Sequence, residues 1–529
     1  MTEDFPLRRE NSEHLDGESN LITLDVCYEI RSSELESCIN KIKKIYGTDV
    51  RFLPLSGKSA GGGVFQVPTP DSNTIVGLHI AAALTPKIRV ASDLDIKKVD
   101  LDEIVIIKSN NAVYAGAAIT LQQLNQALAD ELGSQFKVLG ADLTSYTYAQ
   151  VGSTFMTGGM GPQRRYFCDS VVEIALHNGD KIISIGGEEL ANYAGTYGWT
   201  GLVCAVKCNY HQLPIEEFAF SIPVKNTPGN IARVLNHFSR FVYLENTAAA
   251  KLQPETGAVS MILGLEHITV DSMQPLLNLQ LNNTVTKIAN EIVNNCESVK
   301  ADGVIFVNGL SALPIDEVIS ELVDDVTSAN LTIAGVDLEY SYYFANLDLM
   351  RDLREAVSYA ARNQEPRGSY SYKGHTDANI RVNPGVLESC VKHICQAYED
   401  YIDSVEDFFK SQPLIKGEIL VYGHLNPVGI DPHNRITLAT ENETSFHAAI
   451  GSLDELKKKL ILELADICEI SGSIFTGGEK GVGSDHELLL AFDTPQAAPK
   501  ALFVKYTRQK MTIKKASPCF NWRAFAPYK

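Results

Sequence analysis

Three glycine clusters are the residues best placed to do chemistry in this chain: Gly57 with Gly61, Gly62 and Gly63; Gly158, Gly159 and Gly161; and Gly195, Gly198 and Gly201. Glycine loses more chain entropy on folding than any other residue, so three clusters in one stretch need a reason. Either each is a tight turn, or their backbone N–H groups form nests for phosphate along one elongated anionic ligand. No G-x-G-x-x-G joins a strand to a helix with an acidic residue about 20 positions on, so the usual NAD turn is absent. In SGKSAGGG the glycines follow the lysine, the reverse of a P-loop.

The elements around these clusters alternate. LITLDVCYEI is β-rich, SSELESCINKIKKIYG has helical spacing after a serine start, and DVRFLPL is apolar again, a β-α-β opening that leads into the first cluster. DEIVIIKSNNAVYAGAAITLQQLNQALADELG predicts two short strands joined at Asn110-Asn111 and a helix starting at Thr120. Two further strands hinge at Asn178-Gly179, and the β-type run after Gly201 stops near Pro214. Beyond it the glycine clusters cease and longer helical stretches take over, until GEILVYGHLNPVGIDPHN after Lys416 resumes strand-and-turn text. The expected organisation is a polar leader over 1–20, an α/β unit over 21–215, a second unit over 216–415 and a C-terminal segment over 416–529.

With 529 residues, 45% hydrophobic and 21% charged, the chain has a globular composition and is too long for one core. Its net charge of −19, with no basic stripe, argues against a nucleic-acid partner. An anionic substrate would then need a local cationic pocket, for which Arg367 beside Tyr370 and Tyr372 is a candidate. The ten cysteines form no C-x-x-C pair and read as buried thiols in a reducing compartment. The polar N-terminus lacks the apolar core of a signal peptide and no apolar run approaches ~18 residues, so a cytoplasmic protein without a membrane span is expected.

In order along the chain, Ser56 to Gly63, Ala115-Gly116 with Leu121 and Leu124, Val151 to Gly161, and Tyr197 to Val203 resemble successive elements of one flavin-binding domain. That domain belongs to the vanillyl-alcohol oxidase superfamily, the p-cresol methylhydroxylase type: a pyrophosphate loop, an aG-x-t-L-x-x-L element, a glycine pair and a YG-x-x-G strand. All four in order are far more specific than any one. The resemblance implies an α+β fold with a two-subdomain FAD-binding domain, a cap domain with an antiparallel sheet, and a C-terminal segment that returns to the active site. It implies FAD cradled by Ser56, Gly57, Lys58, Ser59, Ala60 and Gly61, with Gly116, Gly152, Ser153, Gly158, Gly159, Gly198 and Val203 along the cofactor. No histidine lies in the usual attachment loops, so the FAD would be non-covalent.

HTDANIRVNPGVLESC and GEILVYGHLNPVGIDPHN are similar to the D-lactate and D-2-hydroxyglutarate dehydrogenase branch, whose G-H-x-G-D-G-N-x-H loop binds metal. The resemblance places His424 and His433 at that loop's two histidines, and Glu479, in GSIFTGGEKGVG, at the metal-binding carboxylate. A divalent ion such as zinc on this set could bind the carboxylate and hydroxyl of a 2-hydroxy acid and ease hydride loss to flavin. The histidine spacing is two residues longer here, and Asn426-Pro427-Val428-Gly429 replaces the loop's Gly-Asp-Gly-Asn core. Lys480 stands where the branch has a histidine base, leaving Lys480, His433 and His486 as candidates for the proton acceptor. The implied function is an FAD-dependent oxidoreductase taking hydride from a 2-hydroxy acid, with an unspecified electron acceptor and room for a homodimer. A metal-free oxidase of another polar alcohol and a flavin-binding scaffold without catalysis stay open beside it.

Overall fold

The computed structural model describes residues 7–15, 21–30, 35–47, 50–55, 75–143, 145–157, 159, 167–194, 201–213, 216–227, 229–231, 234, 261–278, 283–311, 342–344, 352–353, 356, 370–378, 381–383, 388–426, 429–471 and 473–475. Within the polar segment read as a leader, residues 7–15 form β1 (Leu7–Leu15), antiparallel to β2 (Leu21–Ile30). Polar text can do this at a sheet edge, where a strand pairs on one side only. The β-α-β opening continues through α1 (Leu35–Tyr46), which buries Leu35, Cys38, Ile39 and Ile42 at helical spacing, to β3 (Arg51–Leu55). With β4 (Ile75–Ile80) these strands make a sheet of order β1-β2-β4-β3, parallel between β2, β4 and β3.

A second sheet holds β5 (Lys87–Ala91), β6 (Glu103–Ile107), β7 (Ala112–Gly116), β9 (Val171–His177), β10 (Ile182–Gly186) and β11 (Leu202–Asn209), in the order β10-β9-β11-β7-β6-β5. The short pair β8 (Phe136–Lys137) and β12 (His211–Gln212) lies beside it. Strand β6, EIVII, is apolar on both faces because both are covered. Ile104 and Ile106 pack with α2 (Leu121–Leu132) and α3 (Val151–Thr157), while Val105 and Ile107 join the core shared with α1 and the first sheet.

The Asn110-Asn111 turn forms as read, with Asn111 in the left-handed region at φ 51°. Thr120 caps α2 in a capping box: its hydroxyl accepts from the Gln123 N–H at 3.2 Å, and the Gln123 side chain accepts from the Thr120 N–H at 3.0 Å. Replacing Thr120 by alanine is expected to cost about 1 kcal/mol, read as a lower urea midpoint at unchanged slope. Between β9 and β10, Gly179 takes φ 102° and donates to Nδ1 of buried His177 at 3.0 Å. Burial pushes the His177 pKa down to about 4.

The third sheet is antiparallel and combines β13 (Glu216–Val224), β14 (Met261–Thr269), β15 (Gly303–Ser311), β16 (Tyr342–Phe344), β17 (Tyr372–Ala378), β18 (Arg381–Asn383), β19 (Lys416–Asn426), β20 (Gly429–Thr440) and β21 (Ser473–Phe475). Its order is β16-β13-β15-β14-β19-β20-β18-β21, with β17 also on β20, so strands on either side of residue 416 share one sheet. Helices α4 (Val270–Asn278) and α5 (Asn283–Ser298) pack on Ala219, Ile268, Val304 and Phe306. Helices α6 (Glu388–Ser411) and α7 (Glu443–Ser471) pack on each other and on the later strands. The α+β expectation, two-part first domain plus antiparallel second sheet, describes this architecture. His267 on β14 is buried, its Nε2 has no hydrogen-bond partner, and burial pushes its pKa down to about 4. Cys204, Cys208 and Cys296 are buried, and burial pushes Cys204 and Cys296 up to about 12 and Cys208 upward as well. Among the described residues no helix is long and apolar enough to cross a membrane.

Candidate functional site

Three of the four segments implied as cofactor-binding meet where β7, α3 and β11 converge. Strand β11 carries a bulge: Val203 pairs with Leu176 and Ala205 with Ala175, so Cys204 is the extra residue. The Cys204 carbonyl accepts from the Ala117 N–H at 2.8 Å, which ties the chain just beyond β7 to the bulge. Val151 donates to Ile119 O at 2.8 Å, bringing the start of α3 to the same place. Gly152 is small for a local reason: a Cβ there would lie 2.9 Å from Ala117 Cβ and 3.6 Å from Val203 Cγ1. Gly116 is small for another, since a Cβ would overlap the carbonyl oxygens of Asp100 and Leu101. These two glycines let the segments close on one another.

The junction uses most of its own N–H groups. Ala118 donates to Leu101 O at 2.9 Å, and Gly159 donates to Thr154 O at 3.1 Å while its carbonyl accepts from Phe167. The Ser153 hydroxyl donates back to Gln150 O at 3.0 Å. The N–H groups of Gly152 and Ser153, in the first turn of α3, meet no acceptor among the described residues and are the donors this junction has to offer an oxygen ligand. Sequence reasoning missed Gln150. It is fully buried, its amide donates to Ile80 O at 3.1 Å, and its carbonyl receives the Ser153 and Thr154 hydroxyls, so it joins the end of β4 to α3. No local pattern marks it, because its partner is 70 residues away.

The first glycine loop, with Ser56, Gly57, Lys58, Ser59, Ala60 and Gly61, lies outside the described residues, as do Gly158, Gly198, Arg367, Glu479, Lys480 and His486. Tyr372 donates to Glu443 at 3.2 Å and stacks near Phe446, so it ties β17 to the start of α7; the Tyr370 ring lies under Lys416. The metal-loop expectation for His424 and His433 needs correction. Both sit on strands of a long hairpin, β19 paired with β20 in unbroken register from Lys416 with Ala439 to Asn426 with Gly429. The pairing runs through both histidine positions, so they lie in strand and not in an open ligand loop. By register His424 opposes Asp431 and His433 opposes Tyr422, which puts the two histidine positions on one face, one pleat apart. Among the described side chains no group of three or more His, Cys, Asp or Glu gathers as a metal set.

No family model matches the chain, and no curated protein matches it. Solved structures do. An alkyldihydroxyacetonephosphate synthase is similar over 85% of this chain and 72% of its own, at 13% identity and a TM-score of 0.55. The 4-ethylphenol oxidase of Gulosibacter chungangensis, in its isoeugenol complex, is similar over 92% of this chain and 86% of its own, at 14% identity and a TM-score of 0.56. At these identities the likeness is one of fold.

Proposed function

We propose that the chain is a FAD-dependent oxidoreductase of the vanillyl-alcohol oxidase type, acting on a carbon that bears a hydroxyl. The observation that carries it is the convergence of Gly116 to Ile119, Val151 to Ser153 and Val203 at one junction, in a chain whose fold is shared almost end to end with an oxidase. The residues fit the group. Gly152 and Ser153 keep N–H groups for flavin oxygens, and the resemblance assigns the pyrophosphate to backbone from Ser56 to Gly61 and the flavin side to Gly152, Ser153, Gly158 and Gly159. Bound flavin supplies the hydride acceptor. The chain's part is to hold it, exclude water and take the hydroxyl proton, for which Lys480, His433 and His486 are the candidates.

The finer reading is a 2-hydroxy acid of the D-lactate or 2-hydroxyglutarate kind as the hydride donor, in a cytoplasmic protein. The purified protein is expected to be yellow, with bands near about 375 and 450 nm, and to bleach anaerobically with a D-2-hydroxy acid. A protein that stays colourless after incubation with FAD and desalting refutes the flavin reading. One that is yellow but bleaches only with other alcohols or phenols keeps the flavin and refutes the hydroxy acid.

A further inference from the structure

The six-stranded sheet ends on a strand that no other described strand covers. On one side β5 pairs with β6, and on the other it forms the rim of the order β10-β9-β11-β7-β6-β5. The Lys87 N–H donates inward to Asp102 O at 2.9 Å, and successive residues of a strand turn their peptide groups to opposite sides. The N–H and C=O groups of Ile88 and Val90 therefore point away from β6, to the open edge. Such an edge is a template for a further strand, and proteins usually guard it with charge. The two basic residues of β5 do not guard it: Arg89 Nε lies 2.6 Å from Glu103 Oε1 and Lys87 Nζ 3.1 Å from Asp102, so both lean back over β6.

The opposite face of β5 is apolar and exposed. By register Ile88 opposes Ile104 and Val90 opposes Ile106, so the two continue the face on which α2 and α3 pack, but past the end of that cover. Ile88 is 45% and Val90 46% exposed, where Ile104 and Ile106 are fully buried. With Leu84, at 97%, they put three exposed large apolar side chains into seven consecutive positions.

The text of the strand selects a partner, because β5 is complementary to itself. Laid antiparallel on a second copy with apolar face beside apolar face, it has three central registers. Centred on Ile88, Lys87 meets Arg89 of the second copy and Val90 meets Pro86, which has no N–H to give. Centred on Arg89, two guanidinium groups stand directly opposite. Centred on Val90, Val90 meets Val90, Ile88 meets Ser92, Arg89 meets Ala91 and Lys87 meets Asp93. The third register alone opposes unlike charges, and it makes Val90 a pair in which the two copies exchange both N–H···O bonds. The surroundings do not resist a second copy: residues 84–103 hold four basic and five acidic side chains, in a chain of net charge −19.

We propose that β5 is a self-association edge: two copies pair their β5 strands antiparallel about a two-fold axis at Val90, joining their six-stranded sheets into one. Strands of five residues bury little beside the roughly 1,600 Å² of a standard interface, so the dimer is reversible.

Sedimentation velocity on the full-length protein over a concentration series is expected to show a monomer–dimer equilibrium. V90K sets two ammonium groups at the axis and should weaken association at least about tenfold while keeping the wild-type circular dichroism spectrum, since Val90 is exposed. D93N removes the charge opposite Lys87 but keeps the oxygen that accepts from the Leu94 N–H at 2.8 Å, and should weaken association about threefold. V90C should form a disulfide-linked dimer under mild oxidation, because Cα atoms of such a pair lie about 5.5 Å apart, within bridging range, whereas S92C should not. If V90K loses the wild-type spectrum, D93N and V90C carry the test. Wild-type protein that stays monomeric up to about 100 µM overturns the proposal, whether or not an extended peptide from another protein binds the edge. A V90K dimer as tight as wild type overturns it by placing the interface elsewhere, and crosslinking through S92C as efficient as through V90C overturns the register.

Discussion

Alanine at Gly116 is expected to prevent the first domain from folding, while the same substitution at Gly451 is expected to stabilise the protein. At Gly116 the new methyl would overlap the carbonyl oxygens of Asp100 and Leu101, which are backbone and cannot swing aside. Both are already committed: Asp100 O accepts from Glu103 at 3.1 Å and Leu101 O from Ala118 at 2.9 Å. Gly116 is also paired with Ala205 in the centre of the sheet, so relief on either side breaks the ladder. A cost above about 4 kcal/mol follows, enough to remove most of a domain's stability. Gly451 lies exposed within α7, where a Cβ would meet nothing within 4 Å, so alanine there should add about 0.5–1 kcal/mol. Soluble yield and urea unfolding by circular dichroism check both. A G116A protein whose loss of stability stays within the ordinary overpacking range of roughly 1–3 kcal/mol, or below it, sinks the steric argument.

Acid should destabilise the protein over a defined window. His177 and His267 are buried, and desolvation lowers each pKa from near 6.5 to about 4. A lowered histidine pKa means that the unfolded chain binds protons the folded chain refuses between those values. Stability is therefore complete above about pH 6.5 and falls as pH drops toward 4, by roughly 1.4 kcal/mol per pH unit for each histidine. His177→Asn keeps an acceptor for the Gly179 N–H and His267→Gln keeps a polar side chain of similar reach. The double variant should lose much less in melting temperature between pH 6.5 and 4.5 than wild type does. An equally steep loss in the variant would assign acid sensitivity to other groups.

The readable parts of the fold were those that local chemistry dictates. Thr120 and Gln123 announce a helix start three residues apart, Asn110-Asn111 and Asn178-Gly179 supply the left-handed turns their strands need, and α1 shows its buried face as a periodicity. The β19–β20 region was legible as strand-and-turn text, but Gly423, Gly429, Pro432 and Asn434 are poor strand formers, and the pairing over eleven positions that outweighs them could not be read locally. The junction at Gly152 could be guessed as a place where backbone approaches backbone, but the identity of what it approaches, Ala117 and Val203, depends on a bulge that no residue type marks. Gln150 and the Glu266–His424 pairing were invisible for the same reason: their partners are 70 and 158 positions away in the chain, and sequence patterns report neighbours.

The long reach between β14 and β19 also governs how this protein must be made. A ribosome adding roughly 5–20 residues each second would leave β14 waiting on the order of 10 s for residues 416–426 to emerge. Through that interval one side of β14 offers unclaimed amides to any passing strand, so the nascent chain calls for a holding chaperone during synthesis, and a faster-translated copy should yield more soluble product.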